Sequence, residues 1–243
     1  MILRLFFLFI IPLMPLFSAG PITHLYLAAR YLETHAIQEE QWTHEFLIGN
    51  LFPDIRYLGH FPRELTHPNV THLDEIQSTV NGFEAGMKFH AWVDLAREEF
   101  VEETGIYNSV IPFAEGHQAT LLKLIEEEVM ADLYDGRKWS FLFDQVHAEE
   151  RAFGVSDDII QSWHTILQYT MEYRPSWLIW SCSYYKEVAF GISNSTLYNW
   201  SYLLPQFACD PLFQNHVRKL LEQLEKTLDM SSIKTHHSTS FSK

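Results

Sequence analysis

The sequence predicts an all-α protein, a single-domain helical bundle, on three observations. Most of the chain spaces its apolar residues three to four positions apart, the period of one helix face, and the strict alternation of a strand is scarce. The 243 residues are 47% hydrophobic and 15% aromatic, ample for one substantial core. No internal repeat or low-complexity linker divides the chain, so one domain is expected over residues 20–230.

Taken in order, residues 1–19 read as an export signal. Arg4 gives the positive start, Leu5 to Phe17 are apolar, and Ser18-Ala19-Gly20 offers small residues for cleavage. Such a leader sends the protein to a secreted or periplasmic location; an uncleaved anchor is the alternative. The apolar run is short for a membrane span, which needs roughly 20 residues. Thr23 is positioned to cap a helix through His24, Leu27, Ala28 and Tyr31. A short helix follows over 41–49, and Pro53 breaks the pattern before Asp54. Residues 56–72 read as loop, with Gly59, Pro62 and Pro68. A long helix is predicted over 82–103, with Phe83, Met87, Ala91, Asp94 and Leu95 on its inner stripe. Further helices fit 113–134, 156–172, 176–190 and 211–229, and residues 231–243 read as a loose polar tail.

The formal charge of -14 excludes a broad polyanion-binding face, so extended nucleic-acid binding is not expected, although a small metal-lined cleft could accept a strand end. Cys182 and Cys209 allow one disulfide in an oxidising compartment, or two buried thiols. Neither forms part of a CxxC pair, so cysteine-ligated zinc is not supported.

The chemistry-bearing residues lie between 24 and 94. His24 opens the first helix, and His60, His67 and His72 follow Asp54 in the loop. His90 and Asp94 stand four apart in a helix, which puts an imidazole and a carboxylate on one face, one turn apart. Both are zinc ligand types. Asp94 also interrupts an apolar stripe, and a carboxylate facing a core needs a partner, a metal or an arginine.

The series Thr23-His24, Gly49-x3-Pro53-Asp54, Thr66-His67 and His90-x3-Asp94 resembles the zinc-dependent phospholipase C family, which shares its all-helical fold with secreted zinc-dependent single-strand nucleases. The resemblance covers residues 20 to about 100. It implies a zinc cleft of one to three ions that hydrolyses phosphodiesters, with His24, Asp54, His67, His90 and Asp94 as metal ligands. His67 fits the family's distance from Asp54 better than His72. Asp54 is implied as the catalytic residue that orients water or accepts its proton, and Asp94 as a bridge between metals. The family's early tryptophan is absent; cleavage after Ala19 would leave Gly20 first. Where the family has a further histidine, this chain has Arg97-Glu98-Glu99-Phe100, and the later HxxxE pair is matched only by Lys123-x3-Glu127. Glu127 is thus the last implied ligand, while Lys123 has no lone pair to offer and could instead balance nearby carboxylates.

Other features have plainer readings. Two or more of Glu126, Glu127 and Glu128 are expected on a solvated face. The aromatics of 169–203 read mainly as packing, with a headgroup wall or membrane-facing rim as the functional alternative. Trp92 is expected to pack its helix, and His147, His164, His236 and His237 have no partner at useful spacing. Asn69-Val70-Thr71, Asn194-Ser195-Thr196 and Asn199-Trp200-Ser201 match the glycosylation acceptor pattern. Three functions compete: an enzyme cleaving phospholipid headgroups, with a peripheral membrane contact; a nuclease or phosphomonoesterase of the same fold; and a non-catalytic metal-binding relative.

Overall fold

The computed structural model describes residues 19–184 and 191–238, with side chains described up to residue 231; residues 1–18 of the segment expected as an export signal, the end of the helix predicted over 176–190 and the last five residues lie outside these. Thirteen α-helices and two 3-10 segments make up the described chain, and it contains no strand. None of its helices is long and apolar enough to cross a membrane.

Helix α1 spans Pro21–Thr34 and α2 spans Glu40–Leu51. A 3-10 turn at Pro53–Ile55 leads into three short helices: α3 (Arg56–Gly59), α4 (Arg63–Thr66) and α5 (Asp74–Gln77). The long helix α6 runs Gly82–Thr104, one residue beyond its predicted end. Asn81 caps it by accepting from the Glu84 N–H, and Gly105 ends it at φ 63°. The helix predicted over 113–134 is two, α7 (Tyr107–Ala114) and α8 (Gln118–Leu133). The chain turns between them at Glu115 and Gly116, both with positive φ. After a 3-10 stretch at Gly136–Phe143 come α9 (Ala148–Ala152), α10 (Asp157–Glu172) and α11 (Pro175–Cys182). Helix α12 (Asn194–Cys209) was not anticipated, and α13 (Pro211–Ser238) carries helix well into the segment expected as a loose tail.

The main core joins α1, α2, α6, α10 and α13; a smaller one joins α7, α11, α12 and the first half of α8. Helix α8 therefore ties the two halves together. Helices α2 and α6 approach until their backbones nearly touch. A Cβ on Gly49 would lie 2.1 Å from the Phe83 carbonyl oxygen, and one on Gly86 would lie 2.1 Å from that of Phe46. Only glycine permits this contact, and it brings His90 against the end of α2. The inner stripe of α6 is shifted from the predicted one. Leu95 is exposed, and the buried side runs through Phe89, His90, Val93, Asp94, Arg97 and Val101. Trp92 packs on Phe89 as expected.

Three other expectations are corrected. Thr23 does not cap α1, which starts at Pro21 after Gly20. Cys182 and Cys209 are free thiols, and burial pushes the Cys182 thiol up to about 11. The aromatics of 169–203 are not mainly core: Trp200 is buried, but Tyr173, Trp177, Trp180, Tyr184, Tyr198 and Tyr202 are exposed. They pair on the surface, Tyr173 stacking on Trp177 and Tyr198 meeting Tyr202 edge to face.

Candidate metal centre

The site gathers where α1, α6, α8 and the 53–67 segment meet. His24 and His90 stack face to face, centroids 3.9 Å apart, and His67 meets His90 edge-on. Asp94 lies among them. Its Oδ1 is 3.1 Å from His24 Nε2 and accepts from the Ala19 backbone N–H at 3.1 Å. Its Oδ2 is 3.5 Å from both His67 Nε2 and His90 Nε2. Asp54 stands beside His67, Oδ1 to Nε2 4.0 Å. All five predicted residues in the 24–94 span are thus brought together and buried. His60 and His72 are exposed, so of the loop histidines only His67 joins them.

His90 Nδ1 is 2.8 Å from the Asn50 carbonyl oxygen, which can only accept, so Nδ1 carries the proton and Nε2 keeps its lone pair. The Thr66 hydroxyl lies 2.9 Å from His67 Nδ1 and holds that ring with its Nε2 turned inward. Both Nε2 atoms, and Asp54 Oδ1, are buried without a hydrogen-bond partner in the protein. The His90 lone pair faces a carboxylate oxygen 3.5 Å away, and the two repel unless a cation lies between them. Two overlapping ligand sets, His24/His90/Asp94 and Asp54/His67/His90, each hold their donor atoms within 4.8 Å of one another. This buried His/Asp cluster is therefore able to hold a metal ion, and its second shell matches the usual histidine orientation by a backbone carbonyl.

Charge reinforces the arrangement. Burial, then the neighbouring His24, holds His90 well below its ordinary value, as the neutral ligand form. Burial alone would raise both carboxyls. Asp94 is nevertheless held well below the carboxylate range, first by attraction to the protonated form of His90 and then by hydrogen bonds from His24 and His67, and Lys123, then His90, lowers Asp54.

Glu127, implied as a ligand, has a different role. Its oxygens accept from the backbone N–H groups of Ile22 and Thr23 and from the Thr23 hydroxyl, at 2.6–3.0 Å. It caps α1 from outside that helix. Gly20 makes room for it, since a Cβ there would fall 2.1 Å from Glu127 Cδ. The expected solvated face is corrected too, because all three glutamates are buried. Glu128 accepts from the Ser176 N–H and hydroxyl at the start of α11. Glu126 pairs with Arg97 and with His216, a buried histidine the sequence reading missed. His164 likewise finds a partner, Glu150.

Two side chains outside the predicted set reach the site carboxylates: Lys123 Nζ lies 3.7 Å from Asp54 Oδ2 and Arg63 Nη2 3.3 Å from Asp94 Oδ2. Lys123 thus sits beside a carboxylate, as its lack of a lone pair suggested. No family model, no curated protein and no solved structure matches this chain.

Proposed function

We propose that this protein is an exported metal-dependent hydrolase of phosphate esters, similar to zinc-dependent phospholipase C, with zinc as its ion. The observation that carries the reading is the pair of inward, unpartnered Nε2 atoms of His67 and His90 on either side of Asp94 Oδ2. His24, His67, His90 and Asp94 would hold the ion, with Asp54 at its edge. Bound there, zinc would supply Lewis acidity and lower the pKa of water toward ~7. The chain's own part is orientation and proton handling. Asn50 fixes the His90 tautomer and Thr66 holds the His67 ring, and Asp54, ionised beside Lys123, has one oxygen without a hydrogen-bond partner that would take a proton from water.

The substrate class we favour is phospholipid rather than nucleic acid. The charge of -14 opposes a polyanion, and the exposed Tyr and Trp residues of α11 and α12 suit a lipid interface. A nuclease or phosphomonoesterase would use the same cluster. A non-catalytic metal-binding relative is the reading that Lys123 supports, since it replaces a ligand type by a cation.

The test is metal analysis of the purified protein, with a chromogenic phosphodiester assay with and without chelator. Bound zinc and chelator-sensitive turnover are expected. Absence of metal, or metal content unchanged in His90→Ala and Asp94→Ala, would sink the reading. Bound metal without turnover would favour the non-catalytic relative. Phosphatidylcholine against single-stranded DNA then separates the two enzymes.

A further inference from the structure

Asn50 is wholly buried in the last turn of α2, where that helix meets α1 and α6. Its main chain is pressed against α6, since a Cβ on Gly86 would fall 2.6 Å from the Asn50 nitrogen. A carbonyl in the last turn of a helix has no partner within that helix. That of Asn50 is taken by His90 Nδ1 on α6, at 2.8 Å. Its carboxamide reaches α1, where Nδ2 donates to the His24 carbonyl oxygen at 3.1 Å. One residue therefore holds both stacked histidines, His90 through its main chain and His24 through its side chain.

A simple tie between helices does not account for an amide here. Asn50 Oδ1 is buried and has no hydrogen-bond partner in the protein. An unpaired buried acceptor costs at least as much as one hydrogen bond returns, so the carboxamide adds little to stability. What it does add is direction. Apolar packing between α1 and α2 is non-directional. The Glu127 cap holds the start of α1 to α8, whereas the Asn50 bond refers α1 to α2 at the histidine itself. The need for such a reference is visible in the rings. They lie 3.9 Å apart and within 6° of parallel. Their Nε2 atoms reach different oxygens of one carboxylate, His24 to Asp94 Oδ1 at 3.1 Å and His90 to Oδ2 at 3.5 Å. A ligand set must be held to within about 0.5 Å of its working geometry.

We infer that the Asn50 side chain is a positioning group of the metal centre, which registers His24 against His90 so that both imidazoles and Asp94 can meet one ion. This rests on the metal-dependent reading for the ion, but not for the placement of the rings. Asn50 itself touches neither ion nor substrate and acts through the two histidines. Its two contacts are separable, because a substitution removes the carboxamide and leaves the main-chain carbonyl on His90 in place. His24 alone is then released.

The test compares the purified full chain with Asn50→Leu, which keeps the bulk of the side chain, and Asn50→Ala, which carries the test if leucine does not fit. The first readout is the NMR spectrum of the imidazole protons in chelator. Stacking should shift the ring protons of His24 and His90 upfield in wild type, and the shift should be lost in the variants. The His90 Nδ1 proton should persist, because its carbonyl partner is untouched. The second readout is zinc affinity by competition with a chromogenic chelator. It should fall about tenfold or more, the scale for groups that orient metal ligands. A merely structural amide would lower Tm while leaving ring shifts and zinc affinity as they are, and that result overturns the inference. So does a wild type without upfield-shifted rings. A wild type that binds no zinc, yet whose stacked rings separate in the variants, refutes the hydrolase reading alone.

Discussion

His24 Nε2 lies 3.1 Å from Asp94 Oδ1, joining α1 to α6 across seventy residues of sequence. Any ion bound between these helices also clamps them, so metal and stability are linked. At a thousandfold excess over its Kd, zinc should stabilise by about 4 kcal/mol, a rise in Tm on the order of 10 °C for a chain of this size. Asp94→Asn should abolish that rise. Scanning calorimetry with zinc and with chelator checks it, and an equal rise in the variant would place the ion elsewhere.

Glu127 tests whether a buried carboxylate near the cluster is a ligand or a cap. Glu127→Ala leaves the Ile22 and Thr23 N–H groups without an acceptor and should cost about 2–3 kcal/mol. Glu127→Gln should cost less, since one oxygen still accepts. Both variants should keep zinc at the wild-type level under native conditions. Zinc loss in a folded Glu127→Gln protein would restore Glu127 as a ligand.

The fold class was legible from local pattern, and so was the His90/Asp94 pair, whereas His24, Asp54 and His67 were drawn in by the resemblance of the motif series to a known family. His90 and Asp94 share a face by helical spacing, and Pro53 marks the turn that presents Asp54. The three glutamates were not legible. Successive helical side chains point in directions 100° apart, and what each meets is decided by α1, α11 and α13, not by α8 itself. His216 was missed for the same reason, since its partner Glu126 lies ninety residues away. Helix α12 was hidden by aromatic residues on both its buried and exposed sides and by Pro205 in its interior.

The Arg97–Glu126–His216 group predicts an acid limit. Burial would raise Glu126, but Arg97 and His216 outweigh it, and its carboxyl sits below the ordinary value of 4.5. A carboxyl depressed by folding stabilises fully above its unfolded value and loses that contribution as pH falls through the folded one. Denaturant midpoints should therefore fall steeply below about pH 4.5. Glu126→Gln should be about 3 kcal/mol less stable at neutral pH, because Arg97 keeps its buried charge, and its midpoint should change less with acid. Parallel slopes for the two proteins would exclude Glu126 as the acid-sensitive group.

Gly86→Ala tests how the close contact of α2 with α6 supports the site. Its new methyl would meet the Phe46 carbonyl oxygen at 2.1 Å, backbone against helix, with no flexible side chain to yield. The helices must separate, which should cost about 3 kcal/mol or more. Separation also draws the Asn50 carbonyl from His90 Nδ1, freeing the tautomer that exposes Nε2. Zinc affinity should therefore fall with stability, although Gly86 touches no ligand. A variant with wild-type stability and zinc affinity would mean that the contact is not tight.

The exposed aromatic face of α11 and α12 separates surface packing from lipid contact. Neither helix carries a charged residue, in a chain of net charge -14. Trp177 and Trp180 are 49% and 37% exposed, so replacing both by Ser should change stability by no more than about 1 kcal/mol. Inserting two such side chains into an interface is worth about 1.5–3 kcal/mol each at full burial. The double variant should therefore partition into phosphatidylcholine vesicles at least about tenfold more weakly, with turnover of a soluble diester unchanged. Because the face is uncharged, salt should alter partitioning little. Equal vesicle binding by wild type and variant would remove this face from any lipid contact, and with it the main reason for preferring phospholipid to nucleic acid.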